Sequence, residues 1–213
     1  MLLGQSRRKL GAAVRAFNLP LVTCPGATPA CRAVCYADKG NFRWPQSRRA
    51  YQRNLEASLG HDFAERMIGE IARSRRVLVR VHDGGDYYGA TYVEKWIQIA
   101  RQLPGVTFWA YTRSWRGPRS AELLPPLAAW AGLPNCHLWF SCDEFSGEPP
   151  RVPGVRRAWM WVGQSPPYPV DLVFPVRVRG RLVPSRLNGV LVCPTYAGHP
   201  DLTCEKCGFC FRK

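Results

Sequence analysis

Seven of the nine cysteines of this 213-residue chain fall into two groups, one near each end. The first group is Cys24, Cys31 and Cys35, and the second is Cys193, Cys204, Cys207 and Cys210. Cysteines that only fill a core scatter through a sequence, whereas closely spaced thiols are typical of metal ligands. We therefore predict that the chain folds around metal, with the remaining Cys136 and Cys142 as packing residues.

The cysteines also bear on the cellular compartment. The first 22 residues carry basic side chains inside their apolar part, and no run of about 20 apolar residues occurs anywhere in the chain. We expect a cytoplasmic protein without an export signal and without a membrane partner. In a reducing cytoplasm, metal ligation explains nine cysteines better than disulfides do.

Apolar periodicity predicts strands that alternate with helices. Strands are expected at 18–23, 77–83, 106–114, 137–143, 157–162, 172–176 and 190–193. Helices are expected within 46–75, from about 91, and at 126–131. This alternation indicates βαβ units and an α/β fold with a parallel sheet, either open or curled into a barrel.

The two faces of the predicted strands differ in character. One face is apolar and suits packing under helices, as with Val77, Val79 and Val81. The opposite face carries polar and aromatic groups: Arg80, His82, Trp109, Tyr111, Arg113, His137, Trp139, Ser141, Asp143, Trp159 and Trp161. Such a face suits the lumen of a barrel that holds a ligand. This face favours a barrel over a flat sheet covered by helices on both sides, and the cysteines at the end predict a metal-binding extension over 191–213.

Three sequence segments resemble the radical S-adenosylmethionine (SAM) superfamily. FNLPLVTCPGATPACRAVCYADKG is similar to the family's three-cysteine loop after the first barrel strand. VRVHDGGDYYG resembles its glycine-glycine-glutamate motif, with Gly84, Gly85 and Asp86 in those places. SCDE, residues 141–144, resembles the polar segment at the end of the fourth strand. The cysteine spacing departs from the family pattern, with six and then three intervening residues where three and then two are usual, and Asp86 replaces glutamate.

The resemblance implies an enzyme of radical SAM type, folded as an α/β protein with an incomplete (β/α) barrel over residues 1–190 and a cysteine-rich extension over 191–213. Cys24, Cys31 and Cys35 would hold a [4Fe-4S] cluster with one iron open to SAM, and an electron donor would supply the electron that generates a 5′-deoxyadenosyl radical. The implied contacts with SAM are Gly84, Gly85, Asp86, Ser141, Asp143 and Glu144. The candidate catalytic residues are Asp86, His82, Tyr111 and Arg113. A looser likeness connects the chain to small phage-encoded cysteine-rich proteins of unknown activity.

The C-terminal group forms a complete ligand set of four thiols. Two residues separate Cys204 from Cys207 and Cys207 from Cys210, a repeat that favours a second [4Fe-4S] cluster over structural zinc, which remains the alternative. With four protein ligands the site would be closed. We therefore expect it to relay electrons or to fix the C-terminus.

A formal net charge of +15, from 30 basic and 15 acidic side chains, predicts a polyanionic partner. Twenty-five of the basic residues are arginines, and they cluster at 6–15, 43–53, 73–76, 112–119 and 177–186. Arginine interleaved with Trp and Tyr favours a nucleic acid or nucleotide. Two rival hypotheses follow from the same features: a nucleic-acid-binding iron–sulfur protein without catalysis, and a structural zinc protein.

Overall fold

The computed structural model describes residues 1–5, 9–74, 78–176, 183–197, 199 and 201–212. Its main element is a seven-stranded sheet in which neighbouring strands follow chain order. The strands are β1 Leu3–Gly4, β2 Val14–Phe17, β3 Leu78–Val81, β4 Thr107–Thr112, β5 Cys136–Cys142, β6 Arg156–Trp161 and β7 Leu172–Pro175. Only β1 runs antiparallel to its neighbour, and β2 to β7 are parallel.

Helices occupy the connections in the first two thirds of the chain. The α-helices are α1 Pro29–Val34, α2 Pro45–Leu59, α3 Phe63–Ser74, α4 Ala90–Gln102, α5 Ser120–Ala131 and α6 Cys204–Cys207. Three short 3-10 turns cover Leu21–Thr23, Tyr36–Asp38 and Gly40–Arg43, and a hairpin joins β8 Arg186–Leu187 to β9 Val190–Leu191. Among the described helices, none is long and apolar enough to cross a membrane.

The predicted α/β class with a mainly parallel sheet is confirmed. The strand order shows no reversal of the kind that defines doubly wound sheets. Within the described residues the sheet is open, with β1 and β7 as its edges. Beyond β7, Val192 adds an isolated parallel bridge to Val173.

Two predicted elements differ from the structure. The strand predicted at 18–23 lies earlier, at β2, and Leu21–Thr23 forms a 3-10 turn. Pro20 explains the shift, because proline has no amide hydrogen to donate to a neighbouring strand. The helix predicted at 126–131 starts at Ser120 and contains Pro125 and Pro126. Val77 and most of 177–186 lie outside the described residues.

The apolar face of the sheet packs under helices, as predicted. The main core cluster joins strand residues such as Val79, Phe108 and Leu138 to residues of α3, α4 and α5. Fully buried members include Phe63, Trp96 and Trp130 from those helices. Cys136 and Cys142 belong to the same cluster, which confirms them as packing residues.

The opposite face, which we call the thiol face, contains Ala16, Trp109, Tyr111, Trp139 and Ala158. The C-terminal residues Phe209, Cys210 and Phe211 pack on it. The prediction that Trp159 and Trp161 lie on this face was wrong, because both pack with the main core cluster on the helix-covered face. The reason is register: Cys142 pairs with Trp159, and paired residues of adjacent strands share a face.

Candidate metal centres

The N-terminal cysteines lie on the loop that follows β2, the first parallel strand. Cys24 ends the 3-10 turn Leu21–Thr23, Cys31 lies in α1, and Cys35 caps the C-terminus of that helix. The Thr28 hydroxyl caps α1 by accepting a hydrogen bond from the Cys31 amide at 3.0 Å, and Pro29 occupies the first helical position. All three thiols are partly exposed.

Residues from the ends of β4 and β5 hold this loop in place. The Thr28 hydroxyl donates to Asp143 Oδ2 at 2.6 Å, and Arg113 Nη2 lies 3.1 Å from the same oxygen. Arg113 Nη1 also lies 3.3 Å from Cys31 Sγ. The carboxyl ends of parallel strands meet at one edge of a sheet, so the predicted residues Arg113 and Asp143 come together beside a thiol.

The surroundings of Cys24 and Cys31 oppose the ionisation of these two thiols. Burial raises the pKa of the Cys24 thiol, and the neighbouring Asp86, Cys31 and Cys35 raise it further. Burial also raises the pKa of Cys31, whereas the Arg113 guanidinium acts in the opposite direction. Because a metal binds the thiolate, loading this group would release protons.

The Gly84-Gly85-Asp86 segment lies directly against the cysteine loop. Gly85 has φ +82°, and a Cβ there would lie 2.5 Å from the Leu19 Cβ. Gly85 therefore allows close approach to the chain's own loop. Gly84 lies beside Ala37, where an added Cβ would meet the alanine methyl at 3.3 Å.

Asp86 is buried and its carboxylate already has protein donors. It accepts from the Thr112 hydroxyl at 2.6 Å, the Arg113 amide at 2.8 Å and the Tyr87 amide at 2.8 Å. Burial raises its pKa, and these hydrogen bonds act against that effect. Asp86 thus ties the end of β3 to the end of β4, and its contact with SAM remains a prediction.

His82 does not lie on the thiol face, so its predicted position was wrong. Its Nε2 is 2.7 Å from the Tyr92 hydroxyl, and its ring packs edge-on against Tyr87. Burial, together with Arg80, lowers its pKa to about 3. The backbone at His82 has φ +65°, which turns the chain at the end of β3 and ends the alternation of faces.

The remaining candidates lie at different depths around the strand ends. The Ser141 carbonyl accepts from the Trp115 indole at 3.2 Å, whereas Glu144 is exposed on the turn that follows Asp143. His137 lies near the start of β5, at the opposite end of that strand from Asp143. The strand-end candidates therefore include Ser141, Asp143 and Glu144, but not His137.

The four C-terminal thiols line one small cavity together with Leu172, Pro194, Thr195 and Phe209. The Cys193 amide donates to the Val173 carbonyl at 2.8 Å, which places this cysteine beside β7. Cys204 and Cys207 begin and end α6, and Gly208 follows with φ +72° in a left-handed cap that returns the chain toward Cys210. The second predicted ligand set is thus assembled around a common space.

Aromatic and basic residues of the sheet fix this C-terminal group. The Tyr111 hydroxyl donates to Cys210 Sγ at 2.9 Å, and the Trp139 indole donates to the Cys210 carbonyl at 2.9 Å. Arg156 donates to the same carbonyl at 2.7 Å and stacks 3.9 Å above the Trp139 ring. The prediction of a lumen that holds a ligand is therefore corrected for this part of the thiol face, because the chain's own Phe209, Cys210 and Phe211 fill it.

Sequence reasoning missed the residue that connects the two groups. Lys9 Nζ lies 4.9 Å from the centre of the Tyr36 ring and 5.0 Å from that of Tyr196, and the Lys9 carbonyl accepts from the Cys204 amide at 2.9 Å. Tyr36 directly follows Cys35. No local pattern marks Lys9, whereas the Thr-Pro pair at 28–29 is a recognisable helix start.

Neither thiol group is closed around a single ion. Within the described part of the chain, no three His, Cys, Asp or Glu side chains are positioned to hold one metal ion. Tetrahedral zinc, with Zn–S bonds of about 2.3 Å, requires its sulfurs within about 3.8 Å of one another. Within the described residues, therefore, neither thiol group is arranged as a preformed single-ion zinc site.

These features define an α/β protein with six consecutive parallel strands, helices on one face of the sheet and a cysteine group on the other. The chain belongs to the Gene product 88 family, whose sequence profile matches residues 1–213. It is 34% identical to the Gene 88 protein of Mycobacterium phage L5 and 31% identical to that of Mycobacterium phage D29, each over 132 residues. These alignments cover 57% of this chain and 52% of each relative, so the chain matches about half the length of these relatives.

No solved structure matches the chain. The predicted likeness to phage-encoded proteins is confirmed by the family and by the two relatives. None of their names refers to radical SAM chemistry. The radical SAM likeness therefore stays a prediction.

Proposed function

We propose that this chain is an iron–sulfur enzyme of radical SAM type that acts on a nucleic acid or nucleotide. The observation that carries the proposal is the position of the loop with three grouped thiols after the first parallel strand, where residues of that loop pack against a Gly-Gly-Asp segment after the second. This juxtaposition is what the resemblance implies for a SAM-binding cluster.

Strand order supports an incomplete barrel. Successive parallel strands joined by right-handed crossovers place their helices on one side of the sheet. Here β2 to β7 follow chain order, and the buried residues of α3, α4 and α5 pack on one face of the sheet. A (β/α) barrel has this connectivity and builds its site at the carboxyl ends of its strands, where Arg113 and Asp143 lie.

The donor set at Cys24, Cys31 and Cys35 suits a [4Fe-4S] cluster with one open iron. Each cysteine of such a cluster binds a different iron, so the thiols can lie farther apart than those around one zinc ion. The chemistry that this group supplies when bound is one-electron reduction of SAM, which yields methionine and a 5′-deoxyadenosyl radical. An external electron donor supplies the electron.

The chain's own residues position the loop and its ligands. Arg113 places positive charge beside Cys31 and favours its thiolate. Asp143 and Asp86 act as positioning residues, since their oxygens already accept hydrogen bonds from Thr28, Arg113 and other donors. Ser141 and the exposed Glu144 remain candidate SAM contacts.

The C-terminal group is proposed as a closed four-thiol centre. A second [4Fe-4S] cluster is the first choice for it, and structural zinc is the alternative. Burial raises the pKa of Cys210, which the Tyr111 hydroxyl contacts, so metal loading would also release protons here. The contacts with Trp139 and Arg156 favour a role in fixing the C-terminus to the sheet.

A second candidate function is a nucleic-acid-binding iron–sulfur protein without catalysis. The observation in its favour is that Phe209, Cys210 and Phe211 fill part of the thiol face. A substrate must then enter nearer the strand ends. A filled face is as compatible with a non-catalytic binding protein as with an enzyme.

Metal analysis of anaerobically purified protein tests the metal assignment. We expect iron and sulfide, a broad absorption near 400 nm, and partial loss of iron in Cys35→Ala and in Cys207→Ala. Cys136→Ala is the matched control, because it removes a core thiol outside both groups. One or two zinc ions per chain without iron would refute both iron assignments.

A second assay separates enzyme from binding protein. Reduced protein with SAM is expected to release 5′-deoxyadenosine and methionine, and Cys35→Ala is expected to abolish the release. Iron-loaded protein that releases neither product, with nucleic acid present or absent, would favour the binding protein.

A further inference from the structure

The segment that runs from the N-terminal thiols into α2 is basic and faces solvent. Residues 32–53 contain six basic residues and a single acidic one, Asp38. All six basic side chains are exposed: Arg32, Lys39, Arg43, Arg48, Arg49 and Arg53. In the described residues, the four ion pairs lie elsewhere, at Arg66, Arg113, Arg119 and Arg157.

Two large aromatic side chains are exposed within the same segment. Tyr36 is 45% exposed and Trp44 is 51% exposed. Behind them, Phe42 packs edge-on against Tyr36 with ring centres 5.7 Å apart and lies 6.1 Å from Tyr51. The Tyr36 ring therefore stands on a packed aromatic base, and Trp44 is exposed between the basic residues Arg43 and Arg48 of the sequence.

The start of α2 carries an unusual charge distribution. Its N-cap, Trp44, provides no side-chain hydrogen bond, and its first turn contains no acidic residue. Arg48 and Arg49 follow within five residues of the helix start, where the helix dipole is positive. A phosphate bound at this end of the helix would meet both the positive end of the helix dipole and the arginine charges.

From these observations we infer that the 32–53 segment is a binding surface for single-stranded nucleic acid. Phosphates contact Arg43, Arg48 and Arg49, and an unpaired base stacks on Trp44. A duplex keeps its base faces covered, so an exposed indole ring favours a single strand. The inference deepens the proposed function and rests on it for one step: the bound strand runs beside Cys31 and Cys35.

Fluorescence anisotropy with a labelled 20-nucleotide single strand tests the surface. The DNA strand, the RNA strand of the same sequence and the corresponding duplex are titrated at several salt concentrations. We expect both single strands to bind more tightly than the duplex. Tighter binding of the duplex would overturn the single-strand assignment.

Two variants separate the phosphate contacts from base stacking. The triple variant Arg43→Gln, Arg48→Gln and Arg49→Gln is expected to lower affinity and to reduce the slope of log affinity against log salt by about 2, at roughly 0.7 per phosphate. Trp44→Ala is expected to lower affinity roughly 5- to 150-fold, the loss of one stacked base, with an unchanged slope.

Matched controls exist on the helix side of the molecule. The triple variant Arg66→Gln, Arg73→Gln and Arg101→Gln removes the same charge from exposed positions of α3 and α4. Leu59→Ala removes an exposed apolar side chain from the other end of α2. Equal losses in these controls and in the 32–53 variants would show that net charge alone binds the strand, and would refute the surface.

Two further readouts make each outcome decisive. Binding to vesicles of anionic phospholipid is measured as well. If the vesicles bind at least as tightly as the oligonucleotide and through the same three arginines, the ligand of this surface is a membrane and the nucleic-acid assignment is refuted. Release of 5′-deoxyadenosine is measured on the same preparations with and without nucleic acid. Intact release with no effect of the 32–53 variants on binding refutes the surface alone, whereas absent release with the expected binding losses refutes the radical chemistry alone.

Discussion

Replacing Gly85 by alanine tests whether the glycine pair serves close packing of the chain on its own cysteine loop. The added Cβ would lie 2.5 Å from the Leu19 Cβ, 2.9 Å from the Leu19 carbonyl oxygen and 2.9 Å from Thr23 Oγ1. Leu19 is 1% exposed, and its contacting atoms belong to or adjoin the backbone. They cannot swing aside as the end of a flexible side chain would.

Two costs add at this position. An alanine at φ +82° costs about 1–2 kcal/mol in a left-handed conformation. Crowding in a well-packed region costs about 1–3 kcal/mol more. We therefore expect Gly85→Ala to lower the free energy of unfolding by about 2–5 kcal/mol, which for a chain of this size corresponds to a fall in melting temperature of roughly 4–20 °C.

Scanning calorimetry of three glycine variants measures the effect. Gly84→Ala is the near control, because its nearest contact is the Ala37 methyl at 3.3 Å, and we expect only a small loss. Gly105→Ala is the distant control, since nothing lies within 4 Å of its added Cβ. If Gly85→Ala melts within a degree or two of Gly105→Ala, the close approach to Leu19 is refuted.

Two further predictions concern buried ionisable groups. Burial lowers the pKa of His82 from its ordinary value of 6.5 to about 3 in the folded protein. Between these two values only the unfolded chain binds the proton, so the free energy of unfolding falls as the pH drops, by about 3 kcal/mol at pH 4. Asparagine tolerates the positive φ at this position, so His82→Asn is expected to remove this pH-dependent loss when urea unfolding is compared at pH 7 and pH 4. An identical pH dependence in the variant and in the unchanged protein would contradict the lowered pKa of His82. Asp143→Asn breaks the buried pair with Arg113 and is expected to cost about 3 kcal/mol in urea unfolding. Glu148→Gln, whose carboxylate is half exposed, is expected to cost less than about 1 kcal/mol, and equal costs would refute the special role of the buried pair.

The fold was predictable wherever alternation was strict. Strands β3, β4 and β5 alternate valine, phenylalanine or leucine with polar or aromatic residues, and their helix-side faces agree with the prediction. Strand β6 alternates Ala158 and Met160 with Trp159 and Trp161, and either set can be buried. Its neighbour β5 decided the register, which is a tertiary effect that the local pattern does not contain.

The candidate site was predictable in part for the same reason. Tyr111 and Arg113 follow the alternation of β4 and lie on the predicted face, whereas the thiol beside each of them was not predicted. His82 was misplaced because the chain leaves β3 at Val81, and a positive φ turns the next residue toward the helices. Lys9 was missed because its importance depends on contacts with residues far along the chain.

The two cysteine groups are far apart in sequence, but each has one thiol in contact with a residue at the carboxyl end of β4 or directly after it. Tyr111 contacts Cys210 and Arg113 contacts Cys31. Arg113 follows Tyr111 by two positions, which in extended chain places their Cα atoms about 6.6 Å apart. A displacement of β4 that moves one contact must therefore move the other. Tyr111 also stacks on Trp139, whose indole donates a hydrogen bond to the Cys210 carbonyl. If the C-terminal group binds metal as proposed, the bound metal would therefore hold the end of β4 in place and keep Arg113 beside Cys31.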